Sequence, residues 1–153
     1  MSMETLFAIS SPIAMLGWVA LIISPIIPTW SDRIATYISP GLLSLAYMSL
    51  ILAFWSDAKG GFDTLANVQL LFTQSEIAMA GWLHYLAFDL FMGAWIVREA
   101  RKASISHWFI VPILPFTLLF GPIGYVLFLA LKSALLLRRD QSLLSKSNQS
   151  TAA

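Results

Sequence analysis

Hydrophobic residues run along this chain in four long blocks, broken by short polar stretches. The blocks cover about Thr5 to Pro28, Ile34 to Trp55, Ile77 to Val97 and Trp108 to Leu131, the last reaching towards Leu137. A membrane-spanning helix needs about 20 mostly apolar residues, so each block is long enough to cross a bilayer. Between the second and third lies GGFDTLANVQLLF, residues 60–72, in which Leu65, Val68, Leu71 and Phe72 fall roughly on one helical face. That spacing predicts a short helix lying in the interface. The predicted fold is therefore all-α: a single four-helix transmembrane domain over residues 1–140 with an interfacial helix between the second and third spans. The end, residues 141–153, is small and polar and reads as a disordered tail.

Composition agrees. The chain has 153 residues, 58% hydrophobic and 11% charged, with net charge +1. A soluble domain carries about 25% charged residues. The low net charge gives no reason to expect a nucleic-acid partner. The absence of cysteine excludes disulfides and thiolate chemistry. Trp30, Trp55, Trp95 and Trp108 stand near proposed span ends, the depth an indole prefers, whereas Trp18 and Trp82 lie deeper. Four straight spans put both termini and the 56–76 segment on one side. Lys and Arg then divide 5 to 4 between the sides, and orientation is open.

The third block contains the candidate chemistry. GWLHYLAFDLF, residues 81–91, places His84 roughly 10 Å into the span and Asp89 near its middle. An aspartate at that depth costs on the order of 3 kcal/mol to insert, so it needs a partner, a cavity or a proton. Ser44, Tyr47, Ser49 and Thr117 are candidate donors to it. His84 and Asp89 are about 140° apart around the helix, too far for a close pair on one stripe. His84 shares its stripe with Phe88 and Phe91. Asp89 shares its own with Trp82 and Tyr85. A neutral imidazole can ligate iron or haem, or act as acid or base, and the bland alternative is an interhelical hydrogen bond. His107, beside Trp108, is expected at the opposite interface. The fourth block is broken by Pro112, Pro115, Pro122, Gly121 and Gly124, and a broken helix near the midplane can open a bundle for a ligand.

GGFDTLANVQLLF, GWLHYLAFDLFMGAWIVREARK and SHWFIVPILPFTLLFGPIGYVLFLALK together resemble the abscisic-acid-deficient-four, neoxanthin synthase-like family, in its bacterial branch. Pro115 is additional to the pattern. The resemblance covers about residues 60–132 and implies a multi-pass protein, here of the bacterial inner membrane, acting on a carotenoid or related isoprenoid. Two reactions follow as expectations. One is oxidative cleavage of a carotenoid such as β-carotene to an apocarotenal or retinal, with haem or non-haem iron on His84. The other is metal-free isomerisation of an epoxide or double bond, with Asp89 as acid and His84 as base. A non-catalytic carotenoid or lipid binder is a third reading. Trp82, Tyr85, Phe88, Phe91, Phe120, Gly121 and Pro122 are the expected substrate wall. Membrane lipid and a second copy of the chain are the other expected partners.

Overall fold

The computed structural model describes residues 2–151, with side chains described for 2–139 and 141. The described residues are helical without strands. α1 is Met3–Ile22, α2 is Pro28–Arg33, α3 is Ser39–Phe54, α4 is Leu65–Phe72, α5 is Ser75–Lys102 and α6 is Leu114–Thr151. Four stretches are long and apolar enough to cross a membrane: α1, the continuous run Pro28–Asp57, α5, and Leu114–Arg139 of α6. α4 is the expected short helix between the second and third. The described backbone of α6 is helical to Thr151.

Local chemistry explains the element ends. Ser2 caps α1 by accepting from Thr5 N–H at 3.1 Å, and Thr64 caps α4 through Asn67 N–H at 3.2 Å. Pro28 opens α2, where its missing N–H costs nothing. Pro40 has no N–H to return to the Thr36 carbonyl, and the turn before it, Ile34–Ile38, is wound as a π-helix. Gly60 turns the 58–64 loop at φ 96°, the left-handed region open to glycine. Gln74 fastens that loop, accepting from Lys59 N–H at 2.9 Å and donating to Lys59 O at 2.8 Å. Asp63 in the same loop accepts from Asn67 Nδ2 at 2.9 Å, and this bond holds its carboxyl below the usual range.

α5 is the central helix. α1 runs parallel to it, with Gly17 against Leu90 and Gly93 against Trp18 and Leu21. α3 runs antiparallel to it, bringing Tyr47 to His84 and Thr36 to Arg98. Ala14, Ala20, Ala35, Ala80, Ala87, Ala94 and Ala100 are all buried. Small residues let helix backbones approach closely where lipid supplies no hydrophobic drive. The large apolar side chains left exposed, among them Leu16, Leu42, Leu52 and Val126, face outwards, as lipid requires.

α6 does not run straight. Phe120 has φ −147° and ψ 54°, outside the helical region, and divides α6 into a short arm, 114–119, and a long arm from 121. The contacts show how the arms lie. On the way in, His107 bonds Ile22 O at the far end of α1, and Leu118 reaches Tyr85. On the way out, Gly121 meets Asp89, Tyr125 meets Trp95, Lys132 meets Glu99 and Arg139 meets Ala103. The long arm thus climbs α5 in the same direction as α5 itself. Gly124 packs on Thr117 of the short arm, so close that a Cβ would collide with its hydroxyl. The two arms form a hairpin whose tip lies beside Asp89, about 20 Å from either end of α5.

This corrects two sequence expectations. Arg138 and Arg139 lie at the same end as Arg98 and Lys102, not with the 56–76 segment. Trp95 is not an interface marker, because it packs on Tyr125 and Phe128 of α6. One end of the bundle now carries Arg33, Arg98, Arg101, Lys102, Lys132, Arg138 and Arg139. The other carries Lys59 among the described side chains, with Glu4, Asp57, Asp63 and Glu76. Lys and Arg concentrate on the cytoplasmic side of membrane proteins. The chain has no cysteine, so single-cysteine labelling tests the arrangement directly. Ser56→Cys should react with an impermeant maleimide from outside and Gln141→Cys only from the cytoplasm. Labelling of both from one side would rule out the hairpin.

Candidate functional site

The site is assembled around the tip of the α6 hairpin. Leu118 O stands four residues before Pro122, which has no N–H to give it. Within a bilayer an orphaned carbonyl must find another donor. Tyr85 supplies it, with its hydroxyl donating to Leu118 O at 2.6 Å. Asp89, one turn along α5 from Tyr85, puts its carboxyl beside Tyr85 and the Gly121 backbone. The carboxyl fits only because Gly121 has no side chain, since a Cβ there would strike Asp89 Oδ1. A carboxylate beside the first turn of the long arm also meets the favourable end of that helix dipole. Asp89 Oδ2 is buried and has no hydrogen-bond partner among the described residues.

None of the four donors expected from the sequence serves Asp89. Thr117 donates to Ile113 O at 3.1 Å and Ser49 to Leu45 O at 2.9 Å. Tyr47 lies over His84, with ring centroids 5.6 Å apart, and Ser44 is exposed.

Two cavities open on the flank of α5. The first, about 320 Å³, is lined by Phe88, Asp89, Met92, Gly121, Pro122 and Tyr125, with Asp89 as its one acid. The second, about 240 Å³, is lined by Tyr47, Ile51, Trp55, Phe62, Phe72 and His84, with further aliphatic groups. α4 and the 58–64 loop roof it. Phe62 stacks on Trp55 at 5.7 Å, and Phe72 seats where Gly81 leaves room for its ring. Phe88 divides the cavities, stacking on His84 at 4.5 Å while lining the acid's cavity. His84 and Asp89 are therefore neighbours across one ring and do not share a cavity.

The other expected wall residues are dispersed. Gly121 and Pro122 line the Asp89 cavity. Trp82 lines a third cavity with Met3, Glu4 and Phe7 on the far flank, where it stacks on Tyr85 and meets Phe7 at a tilt. Phe91 is 45% exposed, touches Phe88 and lines neither main cavity. Phe120 is 53% exposed and lies at the helix break, outside both linings. Tyr85 contributes a hydroxyl clamp more than an aromatic wall. Sequence reasoning placed it on the Asp89 stripe but missed its partner. The signal was present, because Pro122 always frees the carbonyl at Leu118.

The donor set near His84 does not fit a non-haem iron, which needs further side-chain ligands, whereas a haem would need the His84 imidazole alone. Among the described residues no group of three or more His, Cys, Asp or Glu comes together. Both described neighbours of the His84 ring are aromatic faces. Its cavity also falls below the roughly 300–1,000 Å³ of typical cofactor pockets. His107, the other histidine, bonds Ile22 O at 2.9 Å at the cationic end.

The architecture defines a multi-pass helical membrane protein with an acid at mid-depth beside a broken helix. The family model for ABA DEFICIENT 4-like proteins matches residues 5–128, and the chain belongs to that family. This makes it a carotenoid-related membrane protein of neoxanthin-synthase-like type. No curated protein and no solved structure matches it.

Tyr85→Phe should leave Leu118 O without its donor and cost about 1 kcal/mol, the usual worth of an interhelical bond in a membrane. Gly121→Ala should cost more, about 1–3 kcal/mol, through overpacking against Asp89. Thermal unfolding in detergent measures both. A Gly121→Ala protein as stable as wild type would contradict the close approach at the tip.

Proposed function

We propose that this protein isomerises a carotenoid or related isoprenoid by proton transfer at Asp89. The observation that supports this reading is a carboxyl with one unpartnered oxygen, lining an otherwise apolar cavity at mid-depth. A rod-like polyene enters such a cavity sideways from the lipid, and Asp89 is the polar group it meets. In this reading the Asp89 carboxyl protonates an epoxide oxygen, the C–O bond breaks, and the polyene delocalises the resulting cation. The carboxylate then takes a proton from a neighbouring carbon, a new double bond forms, and Asp89 ends as it began. Product and substrate have the same mass, and no oxidant is used. For a substrate without an epoxide, protonation and deprotonation at carbon shift a double bond in the same way.

His84 acts here as a wall for an end ring, stacked on Phe88 with the Tyr47 ring tilted beside it, in place of the base expected from sequence. Phe88 separates it from the acid. Tyr85 and the α6 tip hold Asp89 in position. Oxidative cleavage would need an iron that His84 alone would have to hold, and the proton-transfer reading needs none. The second reading, a carotenoid binder without catalysis, is favoured by the largely aromatic and aliphatic lining of both cavities.

Pigment analysis in carotenoid-producing cells decides among these. One host should make β-carotene and another a hydroxylated epoxy-carotenoid. Isomerisation predicts a new pigment of unchanged mass, reduced at least 10²-fold by Asp89→Asn, the usual worth of a general acid. Shortened aldehydes would instead establish cleavage. Unaltered pigment that copurifies with the protein would establish binding alone.

A further inference from the structure

The cationic end of the bundle carries a cleft that the proposed chemistry does not use. It lies where the 104–109 segment passes the long arm of α6, and holds about 350 Å³ between Ser104, Ser106, Ile105, Phe109, Leu135 and the two arginines Arg138 and Arg139. Most cations nearby are already committed. Arg101 pairs with Asp32 at 2.8 Å, Lys102 and Lys132 share Glu99 at 2.7 and 3.2 Å, and Arg98 donates to Thr36 at 2.7 Å. Arg139 donates to Ala103 O and Ser104 O at 2.8 and 2.9 Å, closing the carboxyl end of α5. Arg138 is exposed on the cleft wall.

The lining divides by chemistry. Two guanidinium groups and two serine hydroxyls form the polar part. Ile105, Phe109 and Leu135 form the apolar part, and Phe109 is 55% exposed. This end of the bundle lies at the membrane surface, because α1 and α5 both finish here. An exposed arginine with hydroxyls beside it suits a phosphate diester, and an adjoining apolar floor suits the start of an acyl chain. Among the described side chains at this end, seven cations stand against Asp32 and Glu99 and add a field that draws anions from the leaflet.

We infer that the cleft between residues 104–109 and the long arm of α6 binds the headgroup of an anionic phospholipid, with Arg138 as the principal contact. Bound there, the lipid bridges the end of α5 to the returning arm of the hairpin and braces the helix pair that carries the mid-depth acid. The site is independent of the carotenoid reading and does not touch Asp89.

The test uses the full chain purified in mild detergent and exposed to equal phosphatidylglycerol and phosphatidylcholine, with retained lipid read by native mass spectrometry. One cation at the surface corresponds to roughly a fivefold preference. Wild type should retain phosphatidylglycerol about fivefold over phosphatidylcholine, and Arg138→Gln should bring the ratio close to one. Ser106→Ala should lower it less. Arg138 is exposed, so unchanged helicity and melting of Arg138→Gln without lipid confirm a folded variant. Equal retention of the two lipids by wild type would overturn the inference, as would a preference that survives Arg138→Gln. Thermal protection by inorganic phosphate with no phosphatidylglycerol preference would assign the cleft to a soluble anion and also overturn it.

Discussion

A carbonyl oxygen without a donor, placed at mid-bilayer, is the constraint on which the rest of this structure depends. Phe120 leaves the helical region and Pro122 offers no N–H, so Leu118 O must be satisfied from elsewhere. The Tyr85 hydroxyl satisfies it at 2.6 Å. The same break brings the Gly121 backbone against Asp89. The break and the acid therefore stabilise each other. The carboxyl gains a polar neighbour at a depth where one is scarce, and the broken helix gains two side chains from a single turn of α5. Without the turn at Phe120, the long arm could not climb beside α5, and the pairs Trp95–Tyr125 and Glu99–Lys132 would not form.

The return of α6 also organises charge. The cations of the long arm join those that end α5, leaving acids in excess among the described side chains at the opposite end. Helices joined by small residues, with Gly17 on Leu90 and Gly93 on Trp18, hold the three full-length runs close enough for this segregation to persist. The result is a thin bundle with a polar collar at one end, an aromatic roof at the other and an acid between them.

His84 and Asp89, which the sequence assigned to one site, line two separate cavities. His84 lies among rings under the α4 roof, suited to holding a flat apolar group. Asp89 lies beyond Phe88 against the hairpin tip. A long polyene passing along this flank of α5 would meet both in turn.

The sequence by itself determined the helical class, the number and approximate extent of the apolar helices, and α4. Length, hydropathy and period are local quantities, and a bilayer reads them locally. It also singled out His84, Asp89 and the Pro-Gly break, because each is costly in a membrane wherever the chain goes next. It misjudged the direction of the fourth helix. Hydropathy is the same for a helix that crosses and for one that turns back, and only the packing of Gly124 on Thr117 and of Gly121 on Asp89 decides between them. For the same reason the donors proposed for Asp89 on other helices were not the ones it found, and Lys and Arg seemed evenly divided between the two faces. The tertiary structure decided which carbonyl lost its donor, which hydroxyl replaced it, and that His84 and Asp89 stand in separate cavities. Each of these depends on contacts between residues distant in sequence, which no local pattern encodes.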